Sequence, residues 1–400
     1  MTFIFTKSSV IIKDTNKERS NHINSFKRLN LEFANGQKIR YNEAYLEKFC
    51  TELVELLSGE DYMRKISFAK RMMMSQELKS NNTIEGINAD LTRIDEVIKK
   101  KSSLSEHERK RIINLYHDYQ YVLTHKKIDK EHLKELYQIL SADLLSATDR
   151  ENMGEYYRTK PVYILKGIHI GDDMFTGMDA DKVDYYMDQF FAYINEDNPK
   201  DEIENFIKSQ VMHFYFVYIH PFFDINGRTS RTLSLWHLLN TKAYPYIIFN
   251  QAIAFAKQDY EKDIIAGRSH GDITLFLKYM ITHVETELEK EHVLHSIVEN
   301  TEETLSNEDL QLLNYVLTMK SQLTIKDLVT FYNGYNPPKK PHILLQERII
   351  PLVEKGVILQ REKTKGMITR TIPNTKFSLN PNVIDVNPTK VKHLSLQRYF

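Results

Sequence analysis

The sequence predicts a mostly helical fold broken once by a small β-hairpin and followed by a carboxyl-terminal α+β module of winged-helix type. Three observations lead there. Long stretches repeat apolar residues at mixed three and four spacing, the period of an amphipathic helix. Residues 151 to 175, ENMGEYYRTKPVYILKGIHIGDDMF, interrupt that habit with glycines, a proline and short β-prone runs, the pattern of a flap between helical blocks. Beyond residue 306, three short helical patterns precede KGVILQREKTKGMITRTIPNTKFSLNP, which reads as two strands joined by a basic loop.

Taken in order, YMRKISFAKRMMMSQELKSNN (62 to 82) is expected as helix, as are residues 106 to 125 and 130 to 148. After the flap, helix resumes near Asp179 and ends at the NEDNPKD turn. Ile203, Phe206, Ile207, Gln210, Val211, Phe214, Val217 and Tyr218 keep a 3.6-residue period, and apolar residues cover most of that circumference, so this helix belongs at the centre. Pro221 disfavours the α region for His220, which makes the histidine its natural last residue. A second apolar helix spans 227 to 240, and further helix covers about 256 to 266 and 271 to 292. The last three helices are expected at 307 to 320, 324 to 333 and 341 to 355. The domain reading is an amino-terminal helical region (1–105), a helical core (106–290), a linker (291–305), and a winged-helix-like domain with tail (306–400).

At 42% apolar and 27% charged, the chain has ordinary globular composition and is not a disordered polyelectrolyte. A single cysteine, Cys50, excludes an internal disulfide and fits a reducing compartment. No apolar run approaches a bilayer span, and MTFIFTKSSVIIKD lacks a credible cleavage segment, so a cytoplasmic protein with no membrane partner is expected. The formal charge of zero hides a split. Residues 321 to 400 hold thirteen Lys+Arg against five Asp+Glu, a net of +8 balanced by −8 elsewhere. That tail admits DNA, a protein partner or a homodimer contact.

The chemistry concentrates in HPFFDINGR, residues 220 to 228. Any one of its residues suits a plain helix–helix turn. Together they are harder to explain that way. Gly227, Arg228 and Thr229 open a helix whose unpaired N–H groups point back at the turn, which is an anion site. Arg228 and Arg231 share the first turn of that helix, where two cations oppose the dipole unless a polyphosphate sits between them. Asp224 offers an oxygen ligand for Mg²⁺. His220 is the nearby group suited to accept a hydroxyl proton. His213, His169 with Asp172 and Asp173, and the run Met72, Met73 and Met74 are read as helix, turn and core residues.

The segment resembles the motif of the Fic-domain family, His-x-Phe-x-(Asp/Glu)-Gly-Asn-(Gly/Lys)-Arg-x-x-Arg. Here it is carried by His220, Phe222, Asp224, Asn226, Gly227, Arg228 and Arg231. Gly154 to Ile164 looks like the Gly-x-x-x-Arg segment and flap strand beside the family's site. The resemblance, covering roughly residues 60 to 290, implies the all-α Fic (Fido) fold. It also implies a nucleotidyltransferase that moves AMP from ATP, with Mg²⁺, to a Ser, Thr or Tyr hydroxyl of a target protein or of itself. By resemblance, His220 is the base and Phe222 packs into the core. Asp224 holds the metal, and Asn226 and Gly227 cradle the α-phosphate. Arg228 and Arg231 hold the outer phosphates, so that His220, Asn226 and Arg228 carry the catalysis. Val162, Tyr163 and Ile164 form the flap that pairs with the target backbone.

NNTIEG, residues 81 to 86, resembles the family's inhibitory (Ser/Thr)-x-x-x-Glu-(Gly/Asn), carried here by Asn81, Glu85 and Gly86. The resemblance implies autoinhibition, Glu85 competing with the γ-phosphate for Arg231. It leaves open AMP removal, which some relatives with such a glutamate perform. One departure is Ile225, where the family has Gly, sometimes Ala. If Ile225 keeps φ negative, its N–H survives and the anion site persists; if the turn needs positive φ, nucleotide affinity or rate would fall. A DNA-binding regulator or scaffold with a weak site is the alternative reading.

Overall fold

The computed structural model describes residues 26–57, 77, 80–84, 105–165, 174–196, 199–255, 257–301, 305–318, 323–336, 338–360 and 375–384. Its amino-terminal part is not wholly helical. β1 (Phe26–Glu32) and β2 (Lys38–Asn42) form an antiparallel hairpin, with Phe26 opposite Asn42 and Glu32 opposite Lys38. Leu29, Leu31, Phe33, Ile39 and Tyr41 alternate into the core, and Gly36 turns the chain at φ 76°. An Asn-Gly pair between alternating apolar residues is the strongest local hairpin signal, and here it overrides the helical reading. The hairpin is sewn to the rest of the molecule by Arg40, whose N–H donates to Gly271 (2.9 Å) and whose carbonyl accepts from Ile273 (3.0 Å).

α1 (Glu43–Leu57) follows, and residues 80–84 are helical where the expected 62–82 helix would end. Glu77 is helical as well, and the rest of that expected helix lies outside the described residues. α2 (Glu106–Thr124) begins at a capping box between Ser105 and Glu108. α3 (Lys130–Ser141) and α4 (Ala147–Glu151) divide the expected 130–148 helix. At the break, Asp143 takes a left-handed φ of 58°. The flap is a hairpin of β3 (Tyr163–Leu165) and β4 (Met174–Thr176), Tyr163 opposite Thr176.

α5 (Val183–Asn195) leads to α6 (Glu202–Ile219) and α7 (Asn226–Asn240), which lie against each other at the centre. α6 is buried along most of its length, from Ile203 to Ile219, as its largely apolar circumference predicts. α8 (Phe249–Phe255), α9 (Lys257–His270) and α10 (Thr274–Asn300) close the core. α10 runs through most of the expected 291–305 linker. The reason is its apolar stripe: Val293, Leu294 and Ile297 are buried in a second, carboxyl-terminal core.

That second core is built by α11 (Asn307–Thr318), β5 (Leu323–Thr324), α12 (Ile325–Tyr335), α13 (Pro341–Leu344), β6 (Ile358–Gln360) and β7 (Lys376–Leu379). α13 continues as helix through Leu345–Ile349 and Ile350–Glu354. The three strands make one antiparallel sheet in the order β5-β7-β6, one strand more than expected. Among the described residues no helix is long and apolar enough to cross a membrane.

Candidate active site

His220 caps the carboxyl end of α6 in a left-handed conformation, φ 54° and ψ 60°, outside the right-handed α region that the following proline disfavours. Its N–H still donates to Phe216 (2.9 Å), closing the helix, and its Nδ1 lies 3.2 Å from the Val217 carbonyl. Since a carbonyl only accepts, Nδ1 carries the ring proton and Nε2 is left as the basic nitrogen. The ring is half-buried, and burial lowers its pKa to about 4, with Arg268 and Arg158 adding to the effect.

The next residues fix the loop. Arg158, the arginine of the Gly-x-x-x-Arg segment, is buried and donates three side-chain bonds to carbonyls. Nε reaches His220 (2.8 Å), Nη1 reaches Lys160 (2.9 Å), and Nη2 reaches Met178. Its N–H adds a bond to Pro221 O at 3.0 Å. One guanidinium therefore ties the histidine backbone to the base of the flap. Val162 is buried there and Tyr163 is exposed, while the Val162 carbonyl accepts from Gly177 at 2.9 Å. A Cβ on Gly177 would come within 2.6 Å of Val162 Cγ1, so only glycine permits this approach. Ile164 occupies the middle of β3, opposite Phe175.

Phe222 is fully buried and stacks on Tyr137, with ring centroids 3.7 Å apart. Asn226 spends its side chain on the loop: Oδ1 accepts from the Phe222 N–H (3.0 Å) and Nδ2 donates to the Phe222 carbonyl (2.8 Å). Ile225 is left-handed at φ 71°, ψ 7°, so the condition of a negative φ is not met. Its side chain nevertheless turns into the core, and its N–H donates to Asp224 Oδ1 at 2.6 Å. The Asp224 carboxylate is otherwise at the surface.

α7 then starts without a side-chain cap. Its first rung is the Thr229 N–H to the Ile225 carbonyl, 3.0 Å, so the N–H groups ahead of it lie outside the helical ladder. Arg228 and Arg231 are both buried beside this end. Arg231 Nε donates to Asn81 Oδ1 (2.8 Å), and Asn81 Nδ2 to the Tyr119 hydroxyl (3.2 Å). The amino-terminal segment thus does reach the second arginine of the motif. Glu85 and Gly86 lie outside the described residues.

Two carboxyls near this end were not singled out in the sequence. Asp118 on α2 is fully buried, accepts from the Thr232 hydroxyl (2.5 Å), and has its pKa pushed well up by burial, against the pull of Arg228. Its signal was present: Leu115, Asp118, Tyr119 and Val122 fall on one helical stripe, so the aspartate had to face inward. Glu77, also fully buried, accepts from the Asn250 N–H (2.8 Å); burial raises its pKa against those backbone bonds and Arg231. It falls inside the 62 to 82 stretch of helical period, where nothing in the pattern set it apart from a solvated helix residue.

Comparison with known proteins bears on the domain and the fold. Residues 127–238 match the family model described as Fic/DOC family. Among solved structures, a Fic family protein from Desulfovibrio desulfuricans G20 aligns with a TM-score of 0.51 at 18% identity, over 84% of this chain and 95% of that one. Fic-1 from C. elegans aligns at a TM-score of 0.46 and 15% identity, over 62% of this chain and 72% of that one.

Proposed function

Because the chain carries a Fic/DOC domain on the Fido fold, a domain whose members transfer nucleotide-derived groups to proteins, we propose that it is a protein adenylyltransferase restrained by its own amino-terminal segment. One observation carries the reading: a five-residue loop joins a neutral, Nε2-basic histidine to an uncapped helix end flanked by two buried arginines.

ATP would lie with its phosphates against the start of α7, Arg228 and Arg231 taking the outer oxygens and the first N–H groups the inner ones. Asp224 suits Mg²⁺, since a single surface carboxylate supplemented by phosphate oxygens is the donor set this ion prefers. Bound there, the ion would neutralise charge on the phosphates. His220 Nε2 takes the proton of the target hydroxyl as its oxygen bonds to the α-phosphorus and the bond to pyrophosphate breaks. With a pKa of about 4 the ring is unprotonated at neutral pH and available as acceptor throughout the physiological range. Tyr163 to Leu165 leave a strand edge for an extended target segment. Asn81 on Arg231 supports restraint, since a guanidinium engaged by this segment is hindered from closing on a γ-phosphate.

The test uses ATP labelled at either end. Label at the α-phosphate should enter protein, label at the γ-phosphate should not, and His220→Ala should abolish incorporation. Transfer of γ label would point to a kinase instead, and undiminished α label in His220→Ala would remove the histidine from its role.

A further inference from the structure

His220 sits at the carboxyl end of α6, where the last carbonyls lack helical partners and the dipole end is negative. That setting alone favours a protonated ring. What surrounds it has the opposite sign. Arg268, on α9, brings Nη1 to 3.5 Å from the Val217 carbonyl, the same oxygen that His220 Nδ1 approaches at 3.2 Å. The guanidinium is held over the Tyr218 ring at 5.3 Å. Tyr218 is itself pinned by the amino-terminal hairpin: Phe33 meets its ring edge-on at 4.5 Å, and the Ala34 N–H donates to its hydroxyl at 2.8 Å. The neighbouring Gly267 explains why α9 can come this near. A Cβ there would fall 2.7 Å from the Phe214 ring of α6, so the glycine lets the two helices close.

We propose that Arg268 is a positioning residue for the base: by sharing the Val217 carbonyl with His220 Nδ1 it fixes that oxygen as the ring's partner and leaves Nε2 open. The inference rests on His220 being the base, yet it concerns the ring's own state. The charged groups that bear on the imidazole are Arg268 from α9 and Arg158 from the flap base. Arg158 in turn faces Asp179, and Arg268 faces Tyr218. Asp224 directs Oδ1 at the Ile225 N–H. Of the two cations, Arg158 also carries the flap, so Arg268 is the one whose charge can be removed with the site's backbone left in place.

The experiment is an NMR titration of histidine-labelled full-length chain without nucleotide, His220 being assigned with His220→Gln. The wild-type ring should titrate at about 4 as the Nδ1–H tautomer. In Arg268→Met and in Arg268→Gln, which removes the charge but retains a donor, the value should rise by roughly one pH unit. Arg268→Lys should stay near wild type. An unchanged titration in both uncharged variants, or an Nε2–H tautomer in the wild type, would overturn the proposal. Because no turnover is measured, failure of the chain to transfer AMP would count against the proposed function and leave this result readable.

Discussion

Ile225 pays a conformational cost of about 1–2 kcal/mol for a left-handed β-branched residue. In exchange its side chain fills the core, at 3% exposure, beside the turn and not within it. Removing a buried side chain of this size costs about 2–5 kcal/mol, so Ile225→Gly should lose a net of about 0–4 kcal/mol in urea unfolding. Its rate of AMP transfer should match the parent's, because the isoleucine side chain is buried in the core. A rate increase of about tenfold would show that it hinders the reaction, that being a barrier change of about 1.4 kcal/mol. The four charged members of the motif were legible because their joint spacing has no economical structural reading. The sign of φ at residue 225 was not, since an isoleucine in sequence carries no mark of the glycine-like turn it occupies. Asn226 shows the same limit: its spacing identifies it, but only the two bonds to Phe222 reveal that its side chain serves the loop.

Between elements, the decisive contact is the amino-terminal segment on α7. Asn81 bridges Arg231 and Tyr119, Glu77 meets the start of α8, and the Ile84 carbonyl accepts from Lys257 at 2.9 Å. Asn81→Ala should therefore free Arg231 in part and raise AMP incorporation, with the gain seen as a lower KM for ATP. Loss of incorporation, or a change in kcat alone, would mean that the asparagine supports the site and does not restrain it. The inhibitory motif assigned the contact with Arg231 to Glu85, which lies outside the described residues; the bond that Asn81 makes to it was not anticipated. The hairpin of residues 26 to 42 was equally visible through Asn35-Gly36, yet a region rich in helical pattern masks a signal only two residues long. The extension of α10 to Asn300 was hidden for another reason: Val293, Leu294 and Ile297 find their partners in a module more than ten residues further on.

At the level of the whole molecule, two hydrophobic cores share α10, and charge is distributed unevenly over them. Two cations of the basic carboxyl-terminal part are spent internally. Arg348 pairs with Glu308 at 2.5 Å, and Lys339 pairs with Glu347. That weakens the case for a phosphate-tracking face on α13. Acid sensitivity belongs to this scale as well. Burial lowers His213 and His237 to about 3 and His220 to about 4, from 6.5 when unfolded. Below 6.5 the unfolded chain binds more protons, so each contributes stability that is complete above that pH and drains away towards its folded value. Buried carboxyls such as Glu291, pushed up to about 7, act in the reverse direction and blur the total. Subtracting the curve of His213→Leu isolates one histidine. The parent's relative stability should fall by about 1.4 kcal/mol per pH unit below 6.5; a pH-independent difference would mean that His213 is not held neutral.

The most direct measurement is the intact mass of Glu85→Gly chain after incubation with Mg-ATP, beside the same variant carrying His220→Ala. The account predicts the mass of AMP added to the first and none to the second. An unmodified first sample that also takes up no Mg-nucleotide by calorimetry would contradict the claim that the start of α7 is a polyphosphate site served by His220.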